Sequence, residues 1–102
     1  MASNEHCSAD SASAERLWGE LSKARAADNP HPVADLEDAA FRFYLPMART
    51  LAHSVDESVD PTMAEQSAEL GLARAVLGWR QPTSDGFRGF ARTTIARQLL
   101  SL

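Results

Sequence analysis

The strongest constraint on the fold of this chain is the spacing of its apolar residues, which follows the period of a helix. Large apolar side chains recur every three or four residues in four segments, and no stretch alternates apolar with polar residues as a half-buried strand does. A period near 3.6 residues is typical of an amphipathic α-helix with one buried face. The sequence therefore predicts an all-α protein, a compact bundle of four to five helices without strands.

The first two helices are separated by a proline-rich break. The Asp-Asn-Pro-His-Pro run at 28–32 cannot continue a helix. It ends a first helix, which we expect to begin near Ser11 or Ser13 behind a flexible leader over residues 1–11. A second helix is predicted over residues 33–55, and Pro46 is expected to kink it or to split it in two.

The third and fourth helices have clearer boundaries. Asp60-Pro61 is a typical helix start, because aspartate can cap and proline suits the first turn. The third helix is predicted over residues 61–78, with Gly71 as a close-packing position. Residues 80–86 have a loop composition, with Asp85 as a cap for a last helix that runs from about Phe87 to the end.

The apolar stripes also give a predicted core. On the third helix the stripe consists of Met63, Leu70, Ala73, Val76 and Leu77. Five further residues are predicted to be core for the same reason: Trp18, Phe43, Met47, Leu72 and Ile95. Phe90 falls on the apolar face of the last helix by the same criterion.

Length and composition favour one small domain. The chain has 102 residues, of which 44% are hydrophobic, and a single cysteine, which predicts one helical domain over residues 12–102. No apolar run approaches the roughly 18 residues of a membrane span. The first residues lack the basic and apolar regions of a secretory signal. We expect a cytoplasmic protein without a membrane partner.

Charge is distributed unevenly along the chain. The net charge of −4 argues at first against nucleic-acid binding. Residues 1–69 hold five basic and thirteen acidic side chains, a net charge of −8, whereas residues 70–102 hold five arginines and one aspartate, a net charge of +4. Asymmetry of this kind indicates that one end of a chain contacts a polyanion.

Motifs for catalysis or metal binding are missing from the sequence. Neither a phosphate-binding glycine loop nor a GxSxG or HExxH motif occurs. The three histidines are scattered, and His6-Cys7 supplies only two ligands. The carboxylates of Asp35, Glu37 and Asp38 fit the first turn of a helix, where they complement its dipole. We predict no enzymatic activity, no metal and no cofactor.

Three collinear stretches carry a resemblance to a known family. Residues 43–52 read FYLPMARTLA, and residues 60–76 read DPTMAEQSAELGLARAV. Residues 79–99 then combine an aromatic residue, a loop and a basic helix whose apolar positions are Phe87, Phe90, Ala91, Ile95 and Leu99. In this order the stretches resemble region 2 of the bacterial RNA polymerase sigma factors, and Leu17-Trp18 resembles the opening of many members.

The resemblance implies two binding surfaces. In the family, the third helix docks on a coiled coil of the largest subunit of core RNA polymerase, and the positions implied here are Met63, Gln66, Glu69 and Arg74. The last helix reads and helps to melt the promoter element nearest the start site. The DNA-binding positions implied here are Arg88, Phe90, Arg92, Thr93 and Arg97. The negative net charge predicts that promoter DNA is bound weakly.

Departures from the family pattern leave two other interpretations open. Met63 stands where the family has an aspartate, Ser67 where an acidic residue is common, and Thr93 and Thr94 where housekeeping members have two tryptophans. A diverged sigma-like protein could act through protein contacts alone, as a decoy for polymerase or for an anti-sigma factor. An unrelated helical adaptor would use the same stripes only to build a core or a dimer.

Overall fold

A computed structural model of the protein describes the backbone of residues 2–28 and 30–102 and the side chains of residues 12–28 and 30–102. Its elements are α1 (Ala2–Ala26), α2 (Pro30–Ala52), α3 (Pro61–Gly78) and α4 (Phe87–Leu100). Within this part of the chain there is no strand, and the predicted all-α bundle is confirmed, with four helices. α3 packs against both α2 and α4, while α1 packs on α2.

The first helix is longer than the sequence predicted. α1 begins at Ala2 and continues through residues 11–13, so the expected start near Ser11 or Ser13 is wrong, and neither serine caps the helix. The side chains of residues 1–11 lie outside the described part, and the flexibility expected of the leader stays a prediction. No helix in the described residues is long and apolar enough to cross a membrane.

The break between α1 and α2 is shorter than expected. Asp28 has a left-handed φ of 54° and ends α1. α2 already begins at Pro30, three residues before the predicted Val33. Proline is tolerated there because the backbone N–H groups of a first helical turn have no hydrogen-bond partner within the helix, so the N–H that proline lacks is not missed. α2 then continues through Pro46 as one helix and ends at Ala52, which excludes the five-helix alternative.

α3 follows the prediction at both ends. The Asp60 carboxylate accepts a hydrogen bond from the Thr62 backbone N–H at 2.8 Å, and Pro61 occupies the first turn. Gly71 is a close-packing position, as predicted, because an added Cβ would lie only 2.8 Å from the Cα of Ile95. This glycine therefore sets the close approach of α3 to α4.

The centre of the bundle is a cluster of aromatic rings from three helices and the end of a fourth. Trp18 of α1 is fully buried, its ring lies 4.7 Å from that of Phe87, and its Nε1 donates to the Tyr44 hydroxyl at 3.2 Å. Burial raises the pKa of that hydroxyl. Of the predicted core residues, Trp18, Leu72 and Ile95 are fully buried, whereas Phe43 and Met47 are only partly buried.

The predicted core face of α3 is right at Leu72 and Val76, which are buried, but wrong at its other large residues. Met63, Leu70 and Leu77 are exposed. The buried face of α3 is instead made largely of small residues: Ala64, Ala68, Gly71, Leu72, Ala75 and Val76. α2 and α4 both pack on α3, and small side chains let two helix axes come close. A stripe of large apolar residues is thereby left facing outward.

Candidate functional site

The exposed face of α3 is the first candidate surface. Met63, Leu70 and Leu77, here called the α3 stripe, are 52%, 45% and 51% exposed. They follow one another at intervals of seven residues, which places them on one line along the helix. A line of apolar residues at heptad spacing is what one helix offers to another in a coiled coil.

Polar residues border the α3 stripe. Gln66 lies one turn after Met63, and Arg74 one turn after Leu70, and both are exposed. The Nη1 of Arg74 donates to Oε1 of Gln98 at 2.8 Å, so its guanidinium leans toward α4. Glu69 is partly buried and lies at the side of the helix. The structure thus brings Met63, Gln66 and Arg74 onto one surface, with Glu69 beside it.

Leu70 and Leu77 belong to this surface, although the sequence pattern assigned them to the core. Next to Leu77, a shallow cavity of about 180 Å³ opens between α2 and α3; its lining is Glu37, Asp38, Phe41, Ala73, Val76 and Leu77. The apolar floor of this cavity suits an apolar side chain of a partner helix, whereas its two rim carboxylates are already paired within the chain, Glu37 with Arg25 and Asp38 with Arg42. The signal that identifies Leu70 and Leu77 is the regular seven-residue interval at which they follow Met63.

The DNA-binding residues implied for α4 divide between two flanks. On the flank facing α2, the guanidinium of Arg88 lies 5.4 Å from the centroid of the Tyr44 ring, with Nη1 3.9 Å from the Met47 sulfur. Arg92 follows one turn later on the same flank and is exposed. These two arginines therefore lie beside α2.

The other flank of α4 faces the end of α3. The Phe90 ring is 40% exposed and lies 5.4 Å from the Trp79 ring. Arg97, two turns beyond Phe90, is exposed. Arg88 and Phe90 are two residues apart and so point about 200° apart around the helix axis. The five implied residues do not form one cluster; Thr93 lies between the flanks, on the outer ridge with Gly89 and Ala96.

The two threonines of α4 use their hydroxyls within the helix. The Oγ1 of Thr93 donates to the Gly89 carbonyl at 3.1 Å, and the Oγ1 of Thr94 donates to the Phe90 carbonyl at 2.9 Å. Such bonds to the preceding turn compete with contacts to a ligand. Thr93 therefore presents mainly its methyl group and an oxygen acceptor to the surroundings.

The start of α4 is set by a loop that is fastened to α1. Gly86, with a φ of 86°, is the N-cap and forms no side-chain cap, so the expected capping by Asp85 is wrong. The carboxylate of Glu15 accepts from the backbone N–H and the hydroxyl of Ser84, at 2.8 and 2.6 Å. These hydrogen bonds lower the pKa of Glu15. The sequence offered no signal for this contact.

A partly buried arginine holds the end of α3 in place. Arg25 of α1 donates to the Trp79 carbonyl at 2.6 Å, to the Val76 carbonyl at 3.1 Å and to the Glu37 carboxylate at 3.0 Å. Only 13% of its side chain is exposed. Carbonyls at a helix C-terminus lack partners within the helix, and a cation satisfies them well. Arg25 thus positions Trp79, the residue on which Phe90 packs.

Among the described residues, no group of three or more His, Cys, Asp and Glu side chains could hold a metal ion. His6 and Cys7 lie outside the described side chains. Comparison of the chain with protein-family models, with curated proteins and with solved structures finds no match. What the chain does must therefore be argued from its surfaces and from the sequence resemblance.

Proposed function

We propose that this chain is a sigma factor-like transcription initiation protein that binds core RNA polymerase and contacts the promoter element nearest the start site. The observation that carries the proposal is the α3 stripe, because three large apolar residues at heptad spacing are exposed on the helix that the resemblance assigns to polymerase docking. A coiled coil of the polymerase's largest subunit is a partner of matching geometry.

The polymerase half of the proposal is tested by a charge placed in the middle of the α3 stripe. Leu70→Glu should weaken binding to a bacterial core RNA polymerase by about 30-fold or more, the loss expected of a central interface residue. Leu100→Glu is the matched control, since Leu100 is 85% exposed on α4. Binding is measured by biolayer interferometry, with circular dichroism to check the fold.

Two results would contradict docking through this face. One is a wild-type chain that does not bind the polymerase at all. The other is an equal loss of affinity in Leu70→Glu and Leu100→Glu, because that pattern would place the contact elsewhere.

The DNA half of the proposal assigns α4 to the promoter. Its exposed arginines lie on both flanks, Arg88 and Arg92 beside α2 and Arg97 beside α3. Between the flanks, the small residues Gly89 and Ala96 let a nucleic acid approach the helix closely. Arginines on either side of such a ridge can neutralise phosphates.

Arg92→Ala should weaken DNA binding and reduce the dependence of log Kd on log salt by about one unit of slope. Arg42→Ala is the control, because Arg42 is also exposed but pairs with Asp38 on α2. Fluorescence anisotropy with a promoter fragment at several salt concentrations measures both quantities. If the slope of log Kd against log salt is unchanged in Arg92→Ala, Arg92 does not contact the DNA.

A second function is favoured by the threonine hydroxyls of α4. Because the Thr93 hydroxyl donates to its own helix and Gly89 and Ala96 carry no polar side chain, the outer ridge offers few donors for base recognition. The alternative is a diverged sigma-like protein that acts only through protein contacts, as a decoy for polymerase or for an anti-sigma factor. A chain that displaces a complete sigma factor from polymerase but binds no promoter DNA would establish this alternative.

A further inference from the structure

The α3 stripe is symmetric about its middle residue. Met63 and Leu77 lie seven residues to either side of Leu70, and each of the three is about half exposed. With about 100° of rotation per residue, the stripe lies opposite the buried side of α3, which is centred on Ala68 and Ala75. The stripe therefore points directly away from the rest of the bundle.

The residues beside the α3 stripe have the same symmetry. Ser67 and Ala73, three residues to either side of Leu70, are small and partly buried. Gln66 and Arg74, four residues to either side, are polar and exposed. Reversing the direction of α3 about Leu70 thus places large residues on large, small on small and polar on polar. A surface that matches itself in this way is what a twofold contact between identical chains requires.

A twofold axis through Leu70 determines which residues meet across an antiparallel pair of α3 helices. The residue that lies a given number of positions before Leu70 on one helix faces the residue that lies as many positions after it on the other. Leu70 then packs on Leu70 of the second copy, and Met63 packs on Leu77. Beside Leu77 lies the shallow cavity of about 180 Å³ between α2 and α3, and a flexible, unbranched methionine suits such an irregular apolar gap.

The polar residues are complementary in the same register. Gln66 faces Arg74 of the second copy, and the symmetry forms this pair twice. The Arg74 guanidinium carries several N–H donors, of which Nη1 already donates to Gln98 in its own chain, so other donors are available to the Gln66 amide oxygen. We infer that α3 pairs with the α3 helix of a second copy of this chain, antiparallel and centred on Leu70.

The expected dimer is weak and reversible. From Met63 to Leu77 the contact is about 21 Å long, a single helix face at the low end of specific interfaces. We therefore expect a Kd of about 10–100 μM for the dimer. The pairing goes beyond the proposed function and does not depend on it. It covers the face assigned to polymerase docking, however, so a chain in the dimer is not free to dock.

Cysteine cross-linking tests the position of the axis. Cys7→Ser removes the single natural cysteine. In that background, Leu70→Cys places two thiols at the axis, and mild oxidation should link them into a covalent dimer. Leu100→Cys is the control, because Leu100 is 85% exposed on α4 and reports random collision. We expect Leu70→Cys to cross-link about tenfold faster than Leu100→Cys, and equal rates would overturn the inference.

A mixed sample tests the direction of the two helices. Met63→Cys and Leu77→Cys chains, both in the Cys7→Ser background, are oxidised together, and the products are distinguished by mass spectrometry. The antiparallel pair predicts that links between the two different variants predominate, because residues 63 and 77 face each other. A parallel pair would instead link each variant to its own kind, and that result would overturn the inference.

A charge change tests the polar pair in solution. Gln66→Glu should lower the dimer Kd about fivefold, because the new carboxylate faces Arg74 of the second copy, and Gln66→Lys should raise it by a similar factor. Within one chain these two positions are about 12 Å apart along the helix, so the change creates no internal ion pair. Sedimentation equilibrium measures both constants, and circular dichroism checks the fold.

Failure of the inference and failure of the proposed function give different results. A wild-type chain that remains a monomer up to several hundred micromolar overturns the pairing, even if Leu70→Glu still abolishes polymerase binding and so supports docking. A chain that dimerises through Leu70 but binds no polymerase supports the pairing and contradicts the polymerase half of the proposed function.

Discussion

The close contact between α3 and α4 gives the sharpest prediction about stability. Gly71→Ala would place a Cβ 2.8 Å from the Cα of Ile95 and 3.3 Å from the Cβ of Gln98. The first of these neighbours is backbone and cannot rotate away. The two helices must therefore move apart along their contact, or the side chains around it must leave their preferred rotamers.

The magnitude follows from two opposing effects. Alanine is favoured over glycine inside a helix by about 1 kcal/mol. Overpacking a close contact costs about 1–3 kcal/mol, and a backbone neighbour at this distance belongs at the upper end. We expect Gly71→Ala to lower the free energy of unfolding by about 2 kcal/mol, or the melting temperature by roughly 10 °C.

Gly89→Ala is the matched control, because Gly89 also lies in a helix but its added Cβ meets nothing within 4 Å. Here only the helix preference acts, and a gain of up to about 1 kcal/mol is expected. Thermal and urea unfolding followed by far-UV circular dichroism measure both variants. If Gly71→Ala is as stable as Gly89→Ala, the helices are not in the close contact described, and the reasoning is refuted.

Three further substitutions test other contacts of the fold. Arg25→Ala removes the hydrogen bonds to Val76, Trp79 and Glu37 and should cost about 2–4 kcal/mol in urea unfolding. Asp60→Ala removes the cap of α3 and should cost about 1 kcal/mol in the same assay. The pKa of Glu15 is lowered from its ordinary 4.5 by hydrogen bonds from Ser84, so its contribution is present above that pH and is lost as the pH falls through the lower folded-state pKa. In melting temperatures measured against pH, Glu15→Gln should therefore show a smaller acid-side decline than wild type.

Each of these three variants has a control substitution at a residue of similar type that lacks the contact. Lys23→Ala lies in the same last turn of α1 as Arg25 but is exposed, and Asp85→Ala removes an aspartate that caps no helix. Glu20→Gln changes an exposed carboxylate on α1. An effect of the control as large as that of its partner would show that general surface charge, and not the described contact, determines the result.

The limits of the helices were largely predictable because proline and aspartate act locally. Asp60-Pro61 placed the start of α3 correctly. The 28–32 run located the break between α1 and α2, but its last three residues, 30–32, belong to α2. The error at Ser11 arose because serine favours caps without excluding a helix. Pro46 was expected to kink α2 or to split it in two; α2 is not split, because one missing hydrogen bond is tolerated where the helix is packed on its neighbours.

Which side of a helix is buried was harder to predict. A periodicity argument assigns the helix face with the largest apolar residues to the core, and on α3 that face holds Met63, Leu70 and Leu77. Which side of α3 is buried depends instead on how α2 and α4 pack against it. Because these helices come close, the buried side carries small residues such as Ala68 and Gly71. The contact of Glu15 with Ser84 spans 69 positions in the chain, and nothing in the local sequence signals it.

The position of Trp18 has a consequence for how the protein is made. Its ring packs on Phe87, a residue synthesised long after α1 has left the ribosome. Its other ring contacts are with Tyr44 and Trp79, and the last of these also comes late. Until Trp79 and Phe87 are synthesised, Tyr44 of α2 is therefore the one aromatic neighbour that can pack on Trp18. The aromatic cluster at the centre of the bundle can therefore be completed only once α4 is present.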